Sequence, residues 1–320
     1  MPSIEVRPFR RADRQQLTAL INGHAAAVVP GLGMSVAAML NQLERRPGEY
    51  IVDPWVSERL TLVAEQNERV VAAAHLLHYA DTERVSPPYR NAGEISWLVF
   101  WPEGPRISSA YWTDATRAAE NLMAACIRQL ADWGVARQYA DGDLPLPGVY
   151  GVPEQWPHVR ALYERAGFSY DGHTELVFLA AVEDLCRAAD PPVSGLTVRR
   201  SVGLSGTRLS AVQGEEVIGY IEVETFDDGE RALRHGGWAD IGNLCVAEKY
   251  RRRGVATWLL GRAAAWLRLA HVDRLLAYTY LEGRDETGQG YDEERAFLQA
   301  SPFIEVTRTM RGWTRDPGAG

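Results

Sequence analysis

The sequence predicts an α/β (α+β) fold built from two tandem domains, each with a mixed central sheet flanked by helices. The chain has 320 residues, and at about 100–200 residues per domain this length favours two domains. The second half also repeats the order of predicted elements of the first half: strand pair, strand, helix, strand, helix, strands. Length and repetition therefore agree on a duplicated fold.

The predicted strand pairs show the repeat most clearly. Residues 60–77 and residues 207–224 each consist of two apolar runs around a short polar turn, which is typical of a β-hairpin. These two segments are 147 residues apart, and aligning Glu94 with Asp240, which opens the next predicted strand, gives an offset of 146 residues. Because the offset barely changes, the two halves follow the same plan.

The predicted helices follow at corresponding places. Residues 115–134 and 254–272 are rich in alanine and leucine, with apolar residues at the i, i+3, i+4 spacing of a helix packed on a sheet. Residues 159–168 and 295–303 predict a second, shorter helix in each half. Each short helix is followed by the last predicted strands of its half.

A linker separates the two halves. Residues 184–195 contain two adjacent prolines and a final glycine, which end any regular element. We therefore place a first domain at 1–183 and a second domain at 196–320.

The second half lacks two early helices. Its opening strand lies 192 residues after that of the first half, whereas the following strand pair lies only 147 residues after, so 45 residues are missing. In the first half these residues correspond to helix-like segments at 13–29 and 35–47. Without the wall that these helices would form, the cleft of the second half is either open or closed by the first half or by another subunit. A homodimer is one arrangement that the sequence leaves open.

Composition excludes several classes of protein. Apolar residues make up 46% of the chain and the net charge is −8, which favours a soluble globular protein and disfavours nucleic-acid or membrane partners. No run approaches the ~18 apolar residues of a membrane span, and the charged N-terminus does not resemble a signal peptide. Three widely spaced cysteines form neither a disulfide framework nor a metal motif. We expect a cytoplasmic protein without a metal, and a single lysine among 34 basic residues indicates the codon bias of a GC-rich bacterial genome.

The strongest local motif lies at 243–260, where a predicted strand runs into three arginines, then Gly254-Val255-Ala256, then a long helix. A helix N-terminus offers backbone N–H groups and the positive end of the helix dipole to an anion. Small residues at Gly254 and Ala256 allow a phosphate to approach the backbone, so the motif predicts an anion site.

Arg251-x-x-Gly254-x-Ala256 between a strand and a helix resembles the acyl-CoA pyrophosphate loop of the GCN5-related N-acetyltransferases (GNAT). The resemblance extends in element order to both halves, and it implies a tandem protein that uses acetyl-CoA as a cosubstrate. It implies that the backbone at 244–246 pairs with the pantetheine arm and that the N–H groups at 252–257 hold the pyrophosphate. The implied cofactor residues are Leu244, Cys245, Val246, Arg251, Arg252, Arg253, Gly254, Val255, Ala256 and Thr257.

The first half departs from this loop. Aligning the long helices places Arg117 opposite Gly254, at a turn where a bulky side chain would obstruct a phosphate. We therefore expect a degenerate first domain that does not bind CoA.

Acyl transfer to an amine needs a base and an acid. Asp240 aligns with the glutamate that acts as general base in many members of the family, and Glu222 and Glu224, on one face of the preceding strand, are rivals. An exposed carboxylate without a catalytic role is the alternative for Asp240.

The usual acid of the family is a tyrosine on the last helix. Here that tyrosine occurs as Tyr163 in the first half, where we expect a core residue, and the second half has Leu298 instead. Tyr278, Tyr280 and Tyr291 are the substitutes. Tyr278 and Tyr280 lie on one strand face, and Tyr291 lies in a polar stretch that is either a flexible loop beside the acceptor site or solvated surface, of which we favour surface.

The sequence thus predicts an N-acyltransferase that moves an acetyl group from acetyl-CoA to a small-molecule or peptide primary amine by direct attack in the second domain. A non-catalytic acyl-CoA-binding module and a two-domain interaction scaffold are the alternatives.

Overall fold

The computed structural model describes residues 3–45, 55–102, 115–146, 148–185, 190–204, 206–225, 237–283 and 291–316. The chain divides into two compact units, unit 1 with Met1–Glu175 and Thr307–Gly320, and unit 2 with Leu176–Val306. The last residues of the chain thus belong to unit 1. Residues 186–189 of the predicted linker, including Cys186, lie outside the described residues, and the limits at 183 and 196 stay a prediction.

The elements follow the predicted order, except that a single strand follows the last helix of each half, where a strand pair was predicted. Up to residue 181 they are β1 Ile4–Pro8, α1 Arg14–Val28, α2 Val36–Leu43, β2 Val56–Gln66, β3 Arg69–Tyr79, β4 Ala92–Phe100, α3 Ala115–Asp132, β5 Arg137–Ala140, β6 Val152–Pro153, α4 Pro157–Arg165 and β7 Ser169–Ala181. After the linker they are β8 Leu196–Val202, β9 Thr207–Gln213, β10 Glu216–Thr225, β11 Gly237–Val246, α5 Val255–Leu269, β12 Val272–Tyr280, α6 Tyr291–Gln299 and β13 Ile304–Arg315.

Unit 1 contains a mixed sheet in the strand order β1-β2-β3-β4-β5-β13, with β6 paired to β13. The hairpin between β2 and β3 turns through Asn67 and Glu68, whose φ values of 51° and 61° are those of a two-residue turn that matches the twist of a hairpin. The strands β4 and β5 are parallel, with α3 as the crossover helix between them. The predicted α/β fold is therefore present in this unit.

Unit 2 contains the strand order β7-β12-β11-β10-β9-β8. Only residues 203–206 separate β8 from β9, which confirms that the second half lacks the two early helices. The helix α5 packs on the sheet through residues that are almost fully buried, among them Leu259, Ala263 and Leu267. These buried residues account for the apolar repeat of helical period in the sequence.

The strands β11 and β12 are parallel and pair only over a short stretch. Their register runs from Gly237 beside Val272 to Asp240 beside Leu276. Beyond this point β11 continues to Val246 and β12 to Tyr280, with no further pairing between them in the described residues. The sheet therefore opens between these two strands. None of the helices in the described chain is both long and apolar enough to cross a bilayer.

Candidate functional site

The turn from β11 into α5 has the backbone that the motif predicts. Gly254 is the N-cap of α5, with a φ of +81°, a conformation that glycine adopts without strain. The nearest atom to a Cβ built at this glycine is the Pro192 Cβ at 3.4 Å, an ordinary van der Waals contact. The first helical N–H groups of α5 therefore have no side chain of residue 254 in front of them.

A cavity of about 490 Å³ lies at this helix N-terminus. It contains eight of the ten cofactor residues that the resemblance implies, together with four residues of α6 and one of the preceding turn. The lining residues are Leu244, Val246, Tyr250, Arg251, Arg252, Gly254, Val255, Ala256, Thr257, Glu293, Glu294, Ala296 and Phe297.

The two remaining residues of the implied set lie outside the cavity lining. Cys245 pairs with Tyr220 across β10 and β11, and its side chain alternates to the sheet face opposite Leu244 and Val246. The Arg253 guanidinium lies 5.8 Å from the centre of the Tyr250 ring. The Arg253 side chain thus lies beside a ring that lines the cavity, and the backbone of Cys245 belongs to the strand that borders it.

Both positively and negatively charged side chains line the cavity. The Arg251 Nε donates a hydrogen bond of 3.1 Å to the carbonyl of Val246, which ties the loop to the end of β11. The Arg251 and Arg252 guanidinium groups lie 3.7 and 3.6 Å from the carboxylate of Glu293. These separations exceed a hydrogen bond and Glu293 is half exposed, so the ion pairs are weak and a phosphate can compete for both arginines.

The carboxyl group of Asp240 lies where β11 and β12 begin to separate. The residue is 8% exposed, and its Oδ1 has no hydrogen-bond partner among the described residues. Burial, and next the charge of Glu224 directly across the strand pair, raise the pKa of Asp240 to about 7. The strand begins at Gly237, so the prediction that Asp240 opens the strand was wrong, and so was the alternative of an exposed carboxylate.

Comparisons with known proteins agree with this geometry. A profile of the Acetyltransferase (GNAT) family matches residues 193–285. Unit 2 carries a GNAT domain. No curated protein matches the chain in sequence.

Solved structures extend the likeness to both units. A tandem GNAT protein from the clavulanic acid biosynthesis pathway is 15% identical with a TM-score of 0.65, over 99% of this chain and 100% of that one. A GCN5-related N-acetyltransferase from Sphaerobacter thermophilus is 14% identical with a TM-score of 0.57, over 99% and 96%. A glucosamine N-acetyltransferase region of a fungal multi-domain GH3 β-N-acetylglucosaminidase is 13% identical with a TM-score of 0.60, and the match covers 98% of this chain and 38% of that one. At these identities the likeness establishes a tandem GNAT fold.

Within the GNAT domain, the second predicted base is engaged elsewhere. Glu222 is 1% exposed, and its Oε1 accepts a hydrogen bond of 2.5 Å from the Arg208 Nε and one of 3.2 Å from the Leu204 N–H. A carboxylate held by an arginine and a backbone N–H has little capacity left for a substrate proton. The geometry favours Asp240 over Glu222 as the base.

The tyrosines of β12 share a sheet face with Asp240. Asp240 pairs with Leu276, and side chains two residues apart on a strand point to the same face, so Tyr278 and Tyr280 follow on that face. The Tyr278 hydroxyl is withdrawn from solvent, and the Tyr280 ring centre lies 5.1 Å from that of Tyr291. Tyr278 is therefore the tyrosine closest in register to Asp240.

Two loop assignments were wrong. Tyr291 is the first residue of α6 and is half-buried, so it does not lie in a surface loop. Arg117 is the third residue of α3 and exposed, so it does not stand at a turn as Gly254 does. The residues before α3 that would correspond to the loop, 103–114, lie outside the described residues.

Leu298 and Tyr163 lie where the sequence places them. Leu298 is 2% exposed within the core of unit 2 and offers no proton. Tyr163 is fully buried in unit 1, and its hydroxyl donates a hydrogen bond of 2.8 Å to the carbonyl of Asp141. The described residues contain no cluster of three or more histidine, cysteine or acidic side chains that could hold a metal.

The sequence missed the part that α6 contributes to the cavity. Glu293, Glu294, Ala296 and Phe297 line it, although the residues predicted for the anion site end at Thr257. The acidic first turn of α6 gave no signal for an anion site, because carboxylates repel phosphates. Only the fold brings this turn to the arginines.

Proposed function

We propose that unit 2 binds acetyl-CoA and transfers its acetyl group directly to a primary amine. The observation that carries this proposal is the cavity at the N-terminus of α5. The Arg251 to Thr257 loop borders this cavity at one end of β11. The buried carboxyl group of Asp240 lies farther back on the same strand, where the sheet opens.

The residues present fit the diphosphate of CoA. Gly254 places no side chain before the first N–H groups of α5, the first residues of this helix line the cavity, and the helix dipole favours an anion there. Arg251 and Arg252 supply positive charge, since their contacts to Glu293 are long enough to be exchanged for phosphate oxygens. The edge of β11 at Leu244 and Val246 would hold the pantetheine arm beside Phe297.

Asp240 would act as the general base. The attacking amine nitrogen forms a bond to the thioester carbonyl carbon and gives a proton to the Asp240 carboxylate, and the carbon–sulfur bond breaks. Tyr278 would return a proton to the sulfur, so that the products are an amide and a free thiol. A carboxyl group with a pKa of about 7 suits this task, because a base is most effective when its pKa lies near the working pH.

Calorimetric titration with acetyl-CoA tests the binding step. In Gly254→Glu, the added carboxylate should repel the diphosphate and abolish binding. Gly214→Glu is a matched control, since Gly214 also has a positive φ, of 62°, but lies in the β9–β10 turn with no atom within 4 Å of a built Cβ. Equal binding by both variants, or no binding by the wild type, would refute the assignment of the cavity.

A non-catalytic acyl-CoA-binding module is the second candidate, because Leu298 replaces the usual acid and is buried. Release of free thiol upon addition of primary amines separates the two candidates. Acetyl-CoA binding without amine-dependent thiol release would support the module, and absence of binding would leave the interaction scaffold.

A further inference from the structure

A second carboxylate lies beside the proposed base of unit 2. Glu224 on β10 pairs with Asp240 on β11 in an antiparallel register. Residues paired in this way point to the same sheet face, with Cβ atoms about 4.5–5.5 Å apart. The charge of Glu224 is the second cause, after burial, of the raised pKa of Asp240, which agrees with this short separation. The two carboxyl groups therefore border one place on the sheet.

The charge of Glu224 is not compensated within the part of the chain that the structure describes. The residue is exposed, and it makes no hydrogen bond or ion pair with another described residue. Glu222, two positions earlier on the same strand face, accepts hydrogen bonds from the Arg208 guanidinium and the Leu204 N–H. Arg208 is thus engaged with Glu222, and Glu224 faces solvent with a free negative charge.

Asp240 offers a buried acceptor next to this exposed charge. The residue is 8% exposed, and its Oδ1 lacks a hydrogen-bond partner among the described side chains and backbone groups. A buried carboxylate oxygen without a donor is costly, so it points to a group that binds from outside the chain. One acceptor is buried in the sheet face and the other lies at its solvent side, which suits a ligand that brings a donor to each.

The equivalent place in unit 1 has only one carboxylate. There Glu94 on β4 pairs with Leu77 on β3, at the register that Asp240 and Glu224 occupy in unit 2. The Glu94 carboxylate accepts a hydrogen bond from the Tyr79 hydroxyl. The fold therefore does not require an acid at residue 224, since a leucine takes its place in the other unit. Like charges directly opposite each other destabilise a strand pair, and a cationic ligand would remove this cost.

The charge balance of the reaction determines which ligand fits this place. A primary amine attacks a thioester only in its neutral form, and in the proposed transfer its nitrogen then gives a proton to Asp240. The amide nitrogen and the protonated Asp240 are both neutral, whereas the Glu224 carboxylate keeps its charge. A second amino group on the same molecule stays protonated at neutral pH and can pair with Glu224. The place therefore fits a diamine better than a monoamine, or than an amine with a carboxylate, which Glu224 would repel.

On the basis of the proposed acyl transfer, we propose that the acceptor is a short-chain diamine and that Glu224 binds its second ammonium group. The reacting nitrogen forms the amide bond and gives one proton to Asp240, the carbon–sulfur bond breaks, and the sulfur takes up a proton and leaves as a thiol. The second nitrogen keeps its three protons and donates to the Glu224 carboxylate throughout. Glu224 then determines which amines are accepted, and Asp240 acts on them.

Thiol release by the full chain at saturating acetyl-CoA tests the proposal with two acceptors of equal chain length, 1,4-diaminobutane and 4-amino-1-butanol. The second compound has a hydroxyl group where the first has its second amino group. The wild type should favour the diamine at least about tenfold in kcat/KM, because the ammonium group forms an ion pair with Glu224 that the hydroxyl group cannot form. Glu224→Gln should lose this preference through a higher KM for the diamine.

The ratio of the two acceptors separates binding by Glu224 from its effect on the base. Glu224→Gln also changes the surroundings of Asp240, but both acceptors use the same base, so this effect cancels in the ratio. Glu215→Gln is the matched control, because Glu215 is an exposed carboxylate in the turn between β9 and β10 of the same unit. This variant should keep the preference of the wild type.

Equal turnover of both acceptors by the wild type, or a preference that survives Glu224→Gln, would overturn the proposal and leave the proposed acyl transfer intact. Loss of the preference in Glu215→Gln as well would indicate an effect of net charge and would also overturn it. Release of thiol with neither acceptor, from a protein that binds acetyl-CoA, would count against the transfer step itself and against a diamine as its acceptor.

Discussion

Replacing Asp240 with asparagine should stabilise the protein, and the gain should increase with pH. Burial and the neighbouring Glu224 raise the pKa of Asp240 from 3.8 to about 7, so the folded state favours the protonated acid. An acid with a raised pKa in the folded state costs no stability below its unfolded pKa. The cost grows as the pH rises between the two pKa values and is complete above the folded one.

The magnitude follows from these two values. At about 1.4 kcal/mol per pKa unit, the difference between 3.8 and about 7 amounts to about 4 kcal/mol above pH 7 and about 2 kcal/mol near pH 5. Asparagine keeps the shape of the side chain without the charge. The variant should therefore exceed the wild type in free energy of unfolding by about 2 kcal/mol more at pH 8 than at pH 5.

Urea unfolding of the wild type and Asp240→Asn at pH 5 and pH 8, monitored by a signal from unit 2, measures this difference. Glu224→Gln is the second arm: it removes the charge that raises the pKa of Asp240 and should move the pH dependence of the wild-type stability to lower pH. A gain from Asp240→Asn that is the same at pH 5 and pH 8 would refute the raised pKa. The same variant should lose acetyl transfer, because a base must be ionised, and the wild-type rate should rise with pH through about 7.

Three further substitutions test other parts of the structure. Arg208→Ala should destabilise the protein by about 3–5 kcal/mol in denaturant unfolding, because it removes the guanidinium that pairs with the buried Glu222 carboxylate, and adding Glu222→Leu should restore much of the loss. Tyr163→Phe should cost about 1–2 kcal/mol of stability by leaving the Asp141 carbonyl unpaired, and acetyl transfer should be unchanged. Tyr278→Phe should lower kcat about 100-fold while the affinity for acetyl-CoA measured by calorimetry stays constant, and an unchanged kcat would remove this residue from the mechanism.

The fold could be predicted from the sequence because the same order of elements occurs in both halves of the chain. A single amphipathic pattern is ambiguous, but two patterns in one order and with constant offset support each other. The missing helices of unit 2 could be predicted for the same reason, since only the difference between two offsets reveals a deletion. The position of the final strand could not be predicted, because the sequence does not show that Trp313 pairs with Ala140 in unit 1.

The candidate site could be predicted only where backbone chemistry is local. Gly254 marks the helix start because one residue must adopt a positive φ there, and the helix itself then supplies the N–H groups. The state of a carboxylate depends instead on long-range packing. The sequence around Glu222 does not show that this carboxylate pairs with Arg208. The sequence around Asp240 likewise does not show that Glu224 raises the pKa of Asp240.

The two units show how one sheet position can take different chemistry. Glu94 and Asp240 occupy the same register, and burial raises the pKa of each to about 7. Their cross-strand neighbours differ: the residue beside Asp240 on the parallel strand is Leu276, and the residue beside Glu94 is Tyr139. Asp240 Oδ1 has no hydrogen-bond partner among the described residues, whereas Glu94 accepts a hydrogen bond from the Tyr79 hydroxyl. For the proposed acyl transfer, this difference favours the carboxyl group of unit 2 as the base.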